Sequence, residues 1–142
     1  MDWSNYEDAL LAIDVWREAR GEVMDAKRAV AFSVLNRVKN PKWWGSTIAQ
    51  VIGKKFQYSS MAAPGDPNLI KWPAQPDPSF EDCMQAAADA ISDSGPNPVP
   101  GADSYYDKSI SAPAWAKPEQ FVAQVGNLFF YNTDGDHPSN GS

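Results

Sequence analysis

The sequence predicts an α+β fold that is mostly α-helical and carries one small β-hairpin. Apolar residues recur at helical spacing in several segments, most clearly across residues 25–38. Near the end of the chain, Phe121–Val125 and Leu128–Tyr131 flank Gly126-Asn127, which is the spacing of a two-residue hairpin with glycine where a positive φ is needed. With 142 residues, the chain is long enough to bury one core without disulfides.

The first helix is expected to begin at Ser4. Ser4 and Glu7 have the spacing of a capping box, in which each side chain satisfies a free backbone N–H group of the other residue. One stripe of this helix is then apolar until its last turn, and Gly21 should turn the backbone after it. The residues that form the stripe are Tyr6, Leu10, Ile13 and Arg17, with Ala9, Ala12 and Trp16 beside them.

Two further helices are expected before the middle of the chain. The apolar pattern predicts a helix over residues 25–38, which Asn40-Pro41 should end because proline does not continue a helix. Ser46–Ile52 is expected to form a short helix that Gly53 stops. Phe56–Ser60 alternates in the way that a short strand or an extended turn does.

The second half of the chain begins with a proline-rich surface loop over residues 61–78, which carries Trp72. The next four residues, beginning at Ser79, repeat the capping pattern and should open a helix that continues to Ile91. Gly95-Pro96 closes this helix. Tyr105 and Tyr106 then indicate a short extended segment.

The chain is predicted to form one domain over residues 1–131, followed by a flexible tail over residues 132–142, because no internal repeat or low-complexity tract argues for a second domain. Its 12 basic and 18 acidic residues give a net charge of −6, which argues against binding to nucleic acid or to anionic lipid. The six tryptophans, five tyrosines and six phenylalanines are many for this length. Some of these rings are expected to line a groove, and carbohydrate is a ligand that suits such a surface.

The scarcity of cysteine and histidine argues against several kinds of chemistry. Cys83 has no partner for an intramolecular disulfide, and the single histidine, His137 in the polar tail, makes zinc catalysis hard to build. Cys83 and His137 could in principle form a nucleophile and its base. However, Cys83 lies in an alanine-rich helical run, which favours a buried structural thiol. No signal peptide or membrane span is recognisable, so we expect the chain to fold in a cytoplasm.

Glu18 is the candidate catalytic residue, because it is a carboxylate at the point where the first helix ends. Half-buried against Trp16, its carboxyl group would lose hydration, which favours the protonated form that a general acid needs at neutral pH. The alternative is that Glu18 and Glu22 are solvent-facing charges paired with Arg17 and Arg20. These residues alone leave both interpretations open.

Several short segments occur together in order, and they favour a catalytic Glu18. They are Glu18-Ala19-Arg20-Gly21-Glu22, Val30-Ala31, Leu35-Asn36-Arg37-Val38, Thr47–Ile52, Phe56-Gln57-Tyr58-Ser59, Tyr105-Tyr106 and Val125–Tyr131. The series resembles the cell wall hydrolase family of the spore-cortex-lytic enzymes, the SleB type, over about residues 8–131. This resemblance implies a lysozyme-like fold, no cofactor, and cleavage of peptidoglycan between N-acetylmuramic acid and N-acetylglucosamine, with Glu18 as the general acid.

The resemblance also implies which residues bind the glycan. Gln57, Tyr58 and Ser59 match a segment that lines the cleft in the family, although the usual residue at the position of Tyr58 is phenylalanine. Tyr105 and Tyr106 are further candidates, because tyrosine rings stack on sugar rings. One of these two neighbours in an extended segment should nevertheless point into the core.

The sequence offers no obvious second carboxylate. A glycoside hydrolase normally needs one, about 5 Å from the acid for a retaining mechanism or roughly 6.5–9.5 Å for an inverting one. A lytic transglycosylase instead uses one carboxyl group as acid and then as base, while the sugar's own 6-hydroxyl closes a 1,6-anhydro ring. We therefore favour a lytic transglycosylase over a muramidase. The imperfect candidates for a second carboxylate are Glu22, Asp66, Asp77, Asp103 and Asp107.

Compact size, with no recognisable signal sequence or wall-binding repeat, predicts a phage endolysin made in the host cytoplasm that reaches the wall after the membrane is permeabilised. A tail-associated lysin or a bacterial enzyme fits nearly as well. We expect a monomer that binds peptidoglycan glycan strands and neither nucleic acid nor a membrane. The alternative from a different class is a catalytically inactive peptidoglycan-binding or virion structural module with the same fold.

Overall fold

The computed structural model describes residues 3–54 and 77–133, and it describes the side chains of residues 6–54 and 77–133. The helices in these ranges are α1 (Trp3–Ala19), α2 (Met24–Lys39), α3 (Ile48–Gly53) and α4 (Pro78–Ser92). They are followed by strand β1 (Ser104–Asp107), a short 3₁₀ helix (Pro118–Gln120) and strands β2 (Phe121–Val125) and β3 (Leu128–Tyr131). The predicted, mostly helical α+β architecture is confirmed.

Helix α2 lies at the centre of the helical layer. It packs against α1, α3 and α4 and contacts β2, while α1 and α4 also pack on each other. A helix surrounded in this way is buried on nearly every side, and every residue from 29 to 37 is buried. The core of the protein is therefore built around α2.

The ends of α2 and α3 agree closely with the sequence prediction. Helix α2 exceeds the predicted range by one residue at each end, and the backbone N–H of Asn40 closes it by donating to the carbonyls of the last turn. Helix α3 begins after Thr47, whose hydroxyl accepts a hydrogen bond from the backbone N–H of Gln50 at 3.1 Å. Local signals were sufficient to define both helices.

Helix α1 differs from the prediction at its start and in its buried face. It begins at Trp3, so Ser4 lies in its first turn. Tyr6 of the predicted stripe is 43% exposed, whereas Leu11 and Val15 are completely buried. Because α1 packs against α2, α3 and α4, its C-terminal half is enclosed on several sides, and a single stripe does not describe it. Of the other predicted stripe residues, Ala12, Trp16 and Arg17 are buried, Leu10 and Ile13 are half-buried, and Ala9 is exposed.

The cap of helix α4 was wrongly predicted. Asp77, and not Ser79, is the N-cap residue, and its carboxylate accepts from the backbone N–H of Phe80 at 3.2 Å. Pro78 explains the difference, because proline is favoured at the first helical position and so moves the cap to the residue before it. Ser79 lies inside the helix.

The predicted hairpin is confirmed, and it belongs to a three-stranded antiparallel sheet. Strands β2 and β3 pair on either side of the turn at Gly126, whose φ is +58°. Strand β1 pairs with the other edge of β3, so the sheet order is β1-β3-β2. A shift in register between Phe121 and Ala123 marks an irregularity in β2. The central strand β3 therefore carries the residues that the sheet buries most, including Phe130 at 0% exposure.

The C-terminal part of α2 holds the chain that leads into β1. The side-chain amide of Asn36 donates to the backbone oxygens of Val99 and Ala102, at 2.9 and 2.8 Å. Nε of Arg37 donates to the backbone oxygen of Asp103 at 2.6 Å. Because these groups are buried, such bonds satisfy backbone carbonyls that would otherwise lack a partner. The two side chains thus connect the helical layer to the sheet.

The described fold continues two residues beyond the predicted domain boundary at residue 131. Thr133 is 1% exposed, and its hydroxyl donates to Oδ1 of Asp103 at 2.7 Å. Residues 55–76, which include the predicted extended segment and most of the proline-rich loop, lie outside the described residues, as do residues 134–142. Among the helices that are described, none has both the length and the apolar character needed to cross a membrane.

Candidate active site

Glu18 lies in the last turn of α1 with its side chain half-buried. Arg20, which follows the helix, donates from Nη1 to the backbone oxygens of Arg17 at 3.1 Å and Trp16 at 3.4 Å. These bonds satisfy carbonyl groups that a helix leaves open at its C-terminus. The guanidinium also lies over the Trp16 ring, with Cζ 4.7 Å from the ring centroid. The side chain of Arg20 therefore closes the helix end that carries Glu18.

Helix α4 fixes the same end of α1 from outside. Nε1 of Trp16, a residue that is 6% exposed, donates to Oδ2 of Asp77 at 3.1 Å. The hydroxyl of Ser79 donates to the backbone oxygen of Arg20 at 2.7 Å. A proton donor must keep its position relative to the substrate to within a fraction of an ångström, so a rigidly held helix end suits such a group.

The turn after α1 is as predicted, but the role of its glycine is different. The backbone N–H of Glu22 donates to the oxygen of Ala19 at 2.9 Å. Gly21 has no left-handed φ, and a Cβ built there would meet no atom of the described residues within 4 Å. Glycine is therefore needed here neither for backbone conformation nor for close packing within the described fold. Its lack of a side chain leaves the surface next to the end of α1 uncovered.

Asp14 lies one helical turn before Glu18 and is the residue that the sequence analysis missed. Its side chain is 0% exposed, and neither carboxyl oxygen has a hydrogen-bond partner in the part of the chain that the structure describes. Burial raises the pKa of the Asp14 carboxyl well above its usual range, and the nearby Glu18 raises it further, while Arg17 and Arg37 oppose the shift. The available signal was an aspartate four residues before the candidate acid, inside an apolar helix.

Glu22 joins the turn between α1 and α2 to the tip of the β-hairpin. Its Oε1 accepts from the backbone N–H of Asn127 at 3.0 Å, and its Oε2 accepts from the Asn127 side-chain amide at 3.1 Å. Gly126 approaches so closely that a Cβ there would lie 2.7 Å from Oε1 of Glu22. Both carboxylate oxygens of Glu22 thus serve to hold the hairpin tip.

Replacing Glu22 with glutamine should therefore affect stability more than catalysis. The variant replaces one of the two acceptors with a donor, and the hydrogen bonds of a partly exposed group contribute about 1 kcal/mol to the free energy of unfolding. We expect a loss of that order in urea denaturation, with the rate of wall lysis below the unfolding transition unchanged within a factor of about three. Loss of lysis by orders of magnitude in a folded variant would instead identify Glu22 as the second carboxylate.

The other candidates for a second carboxylate have structural partners as well. Asp77 caps α4 and accepts from an indole N–H group. Asp103 is 3% exposed and binds the C-terminal residues that follow β3. Oδ1 of Asp107 accepts from the backbone N–H of Ser109 at 2.8 Å. Asp66 lies outside the described residues.

Tyr105 and Tyr106 lie on opposite faces of the sheet, as expected for neighbours in a strand. Tyr105 packs against the core, and its ring centroid is 5.3 Å from that of Phe130. Tyr106 lies on the other face, where aromatic rings from β1, β2, β3 and the preceding loop meet. We call this the outer aromatic face, and it consists of Tyr106, Trp115, Phe121, Phe129 and Tyr131.

The remaining candidate residues contribute little to the described site. Gln57, Tyr58 and Ser59 lie outside the described residues. Cys83 is 0% exposed on α4, and burial raises the pKa of its thiol to about 11, which disfavours the thiolate that a nucleophile requires. Throughout residues 3–54 and 77–133, no three His, Cys, Asp or Glu side chains come together in a way that could hold a metal ion.

Comparison with known sequences gives two matches. A family model described as Cell Wall Hydrolase matches residues 21–131, a range that begins three residues after Glu18. A spore cortex-lytic enzyme from Halalkalibacterium halodurans is 29% identical over 132 residues, which are 92% of this chain and 36% of that enzyme. The chain thus spans about a third of the length of this curated relative.

Two solved structures have a similar fold. The catalytic domain of the germination-specific lytic transglycosylase SleB from Bacillus anthracis gives a TM-score of 0.69 at 23% identity, covering 88% of this chain and 93% of that domain. The catalytic domain of the Bacillus cereus SleB protein gives a TM-score of 0.68 at 24% identity, covering 88% of each chain. These similarities confirm the expected lysozyme-like α+β fold. Together with the match over residues 21–131, they show that this chain belongs to the cell wall hydrolase family of the SleB type.

Proposed function

We propose that this protein is a peptidoglycan lytic transglycosylase that cleaves the β-1,4 bond between N-acetylmuramic acid and N-acetylglucosamine. The observation that carries the proposal is the half-buried carboxyl group of Glu18, held at the fixed end of α1 in a member of the cell wall hydrolase family. A matched relative bears the name of a spore cortex-lytic enzyme, and a matched structure that of a lytic transglycosylase, which supports the reaction class.

In the proposed mechanism, Glu18 acts first as an acid and then as a base. It donates its proton to the glycosidic oxygen while the bond between that oxygen and C1 of the muramic acid breaks, and the sugar alcohol leaves. The resulting Glu18 carboxylate then accepts the proton of the 6-hydroxyl group as the hydroxyl oxygen bonds to C1. The product carries a 1,6-anhydro ring, Glu18 regains its proton and no water is consumed.

The surroundings of the other acidic residues support a mechanism with one carboxyl group. A hydrolase would need a second carboxylate at about 5 Å or at roughly 6.5–9.5 Å from the first. Glu22, Asp77, Asp103 and Asp107 each accept hydrogen bonds that hold the fold. Asp14 is completely buried, so it cannot touch a sugar.

The glycan-binding part of the proposal rests on aromatic and amide side chains. Tyr106 lies on the outer aromatic face, where Phe121 is 46% exposed, and half-exposed rings of this kind stack well on sugars. We include Gln57, Tyr58 and Ser59 in the cleft on the strength of the family resemblance alone.

Mass spectrometry of the soluble fragments released from purified peptidoglycan tests the proposed reaction. We expect fragments that end in 1,6-anhydromuramic acid. Reducing muramic acid ends would indicate a muramidase instead, and cleaved stem peptides with intact glycan would refute a glycosidase. Cys83→Ala serves as a control for a thiol peptidase, and we expect it to release the same fragments as the unmodified protein, because the thiol is buried.

The biological setting is a further part of the proposal. A phage endolysin made in the host cytoplasm is consistent with the compact size of the chain. A gene for a holin-like membrane protein next to this one would support that origin, whereas neighbours from a tail module would count against it. A catalytically inactive virion module with the same fold predicts that glycan binding occurs without any release of fragments.

A further inference from the structure

Asp14 is a buried acidic side chain to which the proposed mechanism gives no role. Within residues 3–54 and 77–133, neither of its carboxyl oxygens finds a hydrogen-bond partner, and the side chain is 0% exposed. A buried polar group without a partner costs free energy, and such groups are uncommon in folded proteins. Asp14 precedes Glu18 by four residues, so the two carboxyl groups share one side of α1 with their Cβ atoms about 5–6 Å apart. This spacing allows the two groups to interact directly.

The charged groups that act on Asp14 come from two helices. On α1, Glu18 repels an ionised Asp14 and Arg17 attracts it, while Arg37 attracts it from α2. Arg17 and Arg37 are 6% and 2% exposed, so water screens their charges only weakly. Helix α3 contains no titratable residue. On the α4 side, Asp77 is bound to an indole N–H group, and the other acidic residues are exposed or paired with basic residues of α2.

Resting on the proposed role of Glu18 as proton donor, we propose that Asp14 is a positioning residue that couples to Glu18, so that the two carboxyl groups share one proton at neutral pH. When both groups are protonated, the positive charges of Arg17 and Arg37 make loss of the first proton easy. Loss of the second would place two negative charges one helical turn apart in a poorly hydrated region, and their mutual repulsion opposes it. The pair therefore stays singly protonated over a wide pH range.

This coupling extends the pH range in which Glu18 holds a proton. Without a charge on Asp14, the buried guanidinium groups of Arg17 and Arg37 would act on Glu18 unopposed and favour its ionised form. The repulsion between the two carboxylates acts equally on both partners, so Asp14 counteracts this effect. Asp14 touches no substrate, and its influence on the reaction passes entirely through Glu18.

A pH titration of the side-chain carboxyl carbons, followed by carbon-13 NMR without substrate, tests the coupling. Glu18→Gln identifies the Glu18 signal. In the unmodified protein, we expect the Asp14 and Glu18 signals to move in two steps at the same two pH values. In Asp14→Asn, the Glu18 signal should move in one step and at lower pH.

The pH profile of wall lysis should change in the same direction. We expect the activity of Asp14→Asn relative to the unmodified protein to fall by about tenfold across the alkaline limb, as for groups that interact by about one pH unit. Glu81→Gln is the matched control, since it removes an exposed carboxylate from α4, and it should leave both the titration and the pH profile unchanged.

A one-step titration of Glu18 that Asp14→Asn does not displace would overturn the coupling and leave Asp14 with a structural role only. If Asp14→Asn does not fold, the number of steps in the unmodified protein still decides the question. Failure of the proposed function is a separate result, because it would appear as full lytic activity of Glu18→Gln while the titration without substrate could still show coupling.

Discussion

Replacing Glu18 with glutamine is expected to reduce the release of peptidoglycan fragments by a factor of about 100 or more, because the glycosidic oxygen then receives no proton from a positioned acid. Glutamine has nearly the same size as glutamate, and Glu18 is only half-buried, so the fold should not change. The measurement is the initial rate of wall lysis with purified peptidoglycan, alongside circular dichroism and the urea midpoint of the variant.

Glu22→Gln is the control for this experiment, since it makes the same chemical change four residues further along the chain. It should keep its lytic rate, because the Glu22 carboxylate binds Asn127. Equal activity of Glu18→Gln and the unmodified protein would show that another group delivers the proton. If neither protein releases fragments but both bind glycan strands, the inactive binding module is the better description.

Replacing Phe130 with alanine is expected to lower the free energy of unfolding by about 3–5 kcal/mol. Phe130 lies on the central strand β3, is 0% exposed and packs with Tyr105 against the helices. Its removal eliminates buried apolar area and leaves a cavity that the three-stranded sheet cannot fill. Because a domain of this kind is stable by only about 5–15 kcal/mol, the change should be plain in urea denaturation followed by circular dichroism.

Phe121→Ala provides the matched control in the neighbouring strand β2. Phe121 is 46% exposed and contacts the rings of Phe129 and Tyr131 at the surface. Its removal should cost about 1 kcal/mol, the value of an exposed aromatic contact. Equal losses in the two variants would mean that the core does not extend through β3 as described.

Much of the fold could be predicted from local sequence signals. The limits of α2 and the hairpin turn at Gly126 depend on helical periodicity, on proline and on the φ that glycine allows, all of which act within a few residues. The cap of α4 shows how close signals compete. Asp77 and Ser79 are both good cap residues, and Pro78 between them decides in favour of Asp77.

The candidate site was predicted less completely, because its parts come from distant segments. Glu18 could be singled out from its position at the end of a helix and from the ordered motifs around it. The contact of Glu22 with Asn127 spans 105 positions in the chain, so no local pattern could indicate it. Asp14 was missed because the predicted stripe assigned the buried side of α1 to other residues, which made position 14 look like an ordinary charge.

By itself, the sequence determined that the chain forms a mostly helical α+β domain of the cell wall hydrolase family and that Glu18 ends its first helix. Spacing, turn residues and ordered motifs carry that information locally. Only the tertiary structure decided which side chains surround Glu18, that Asp14 is completely buried, and that Tyr105 and Tyr106 face opposite sides of the sheet. Burial and the electrostatic environment of a carboxyl group depend on every element that packs around it, and neither is a property of any single stretch of sequence.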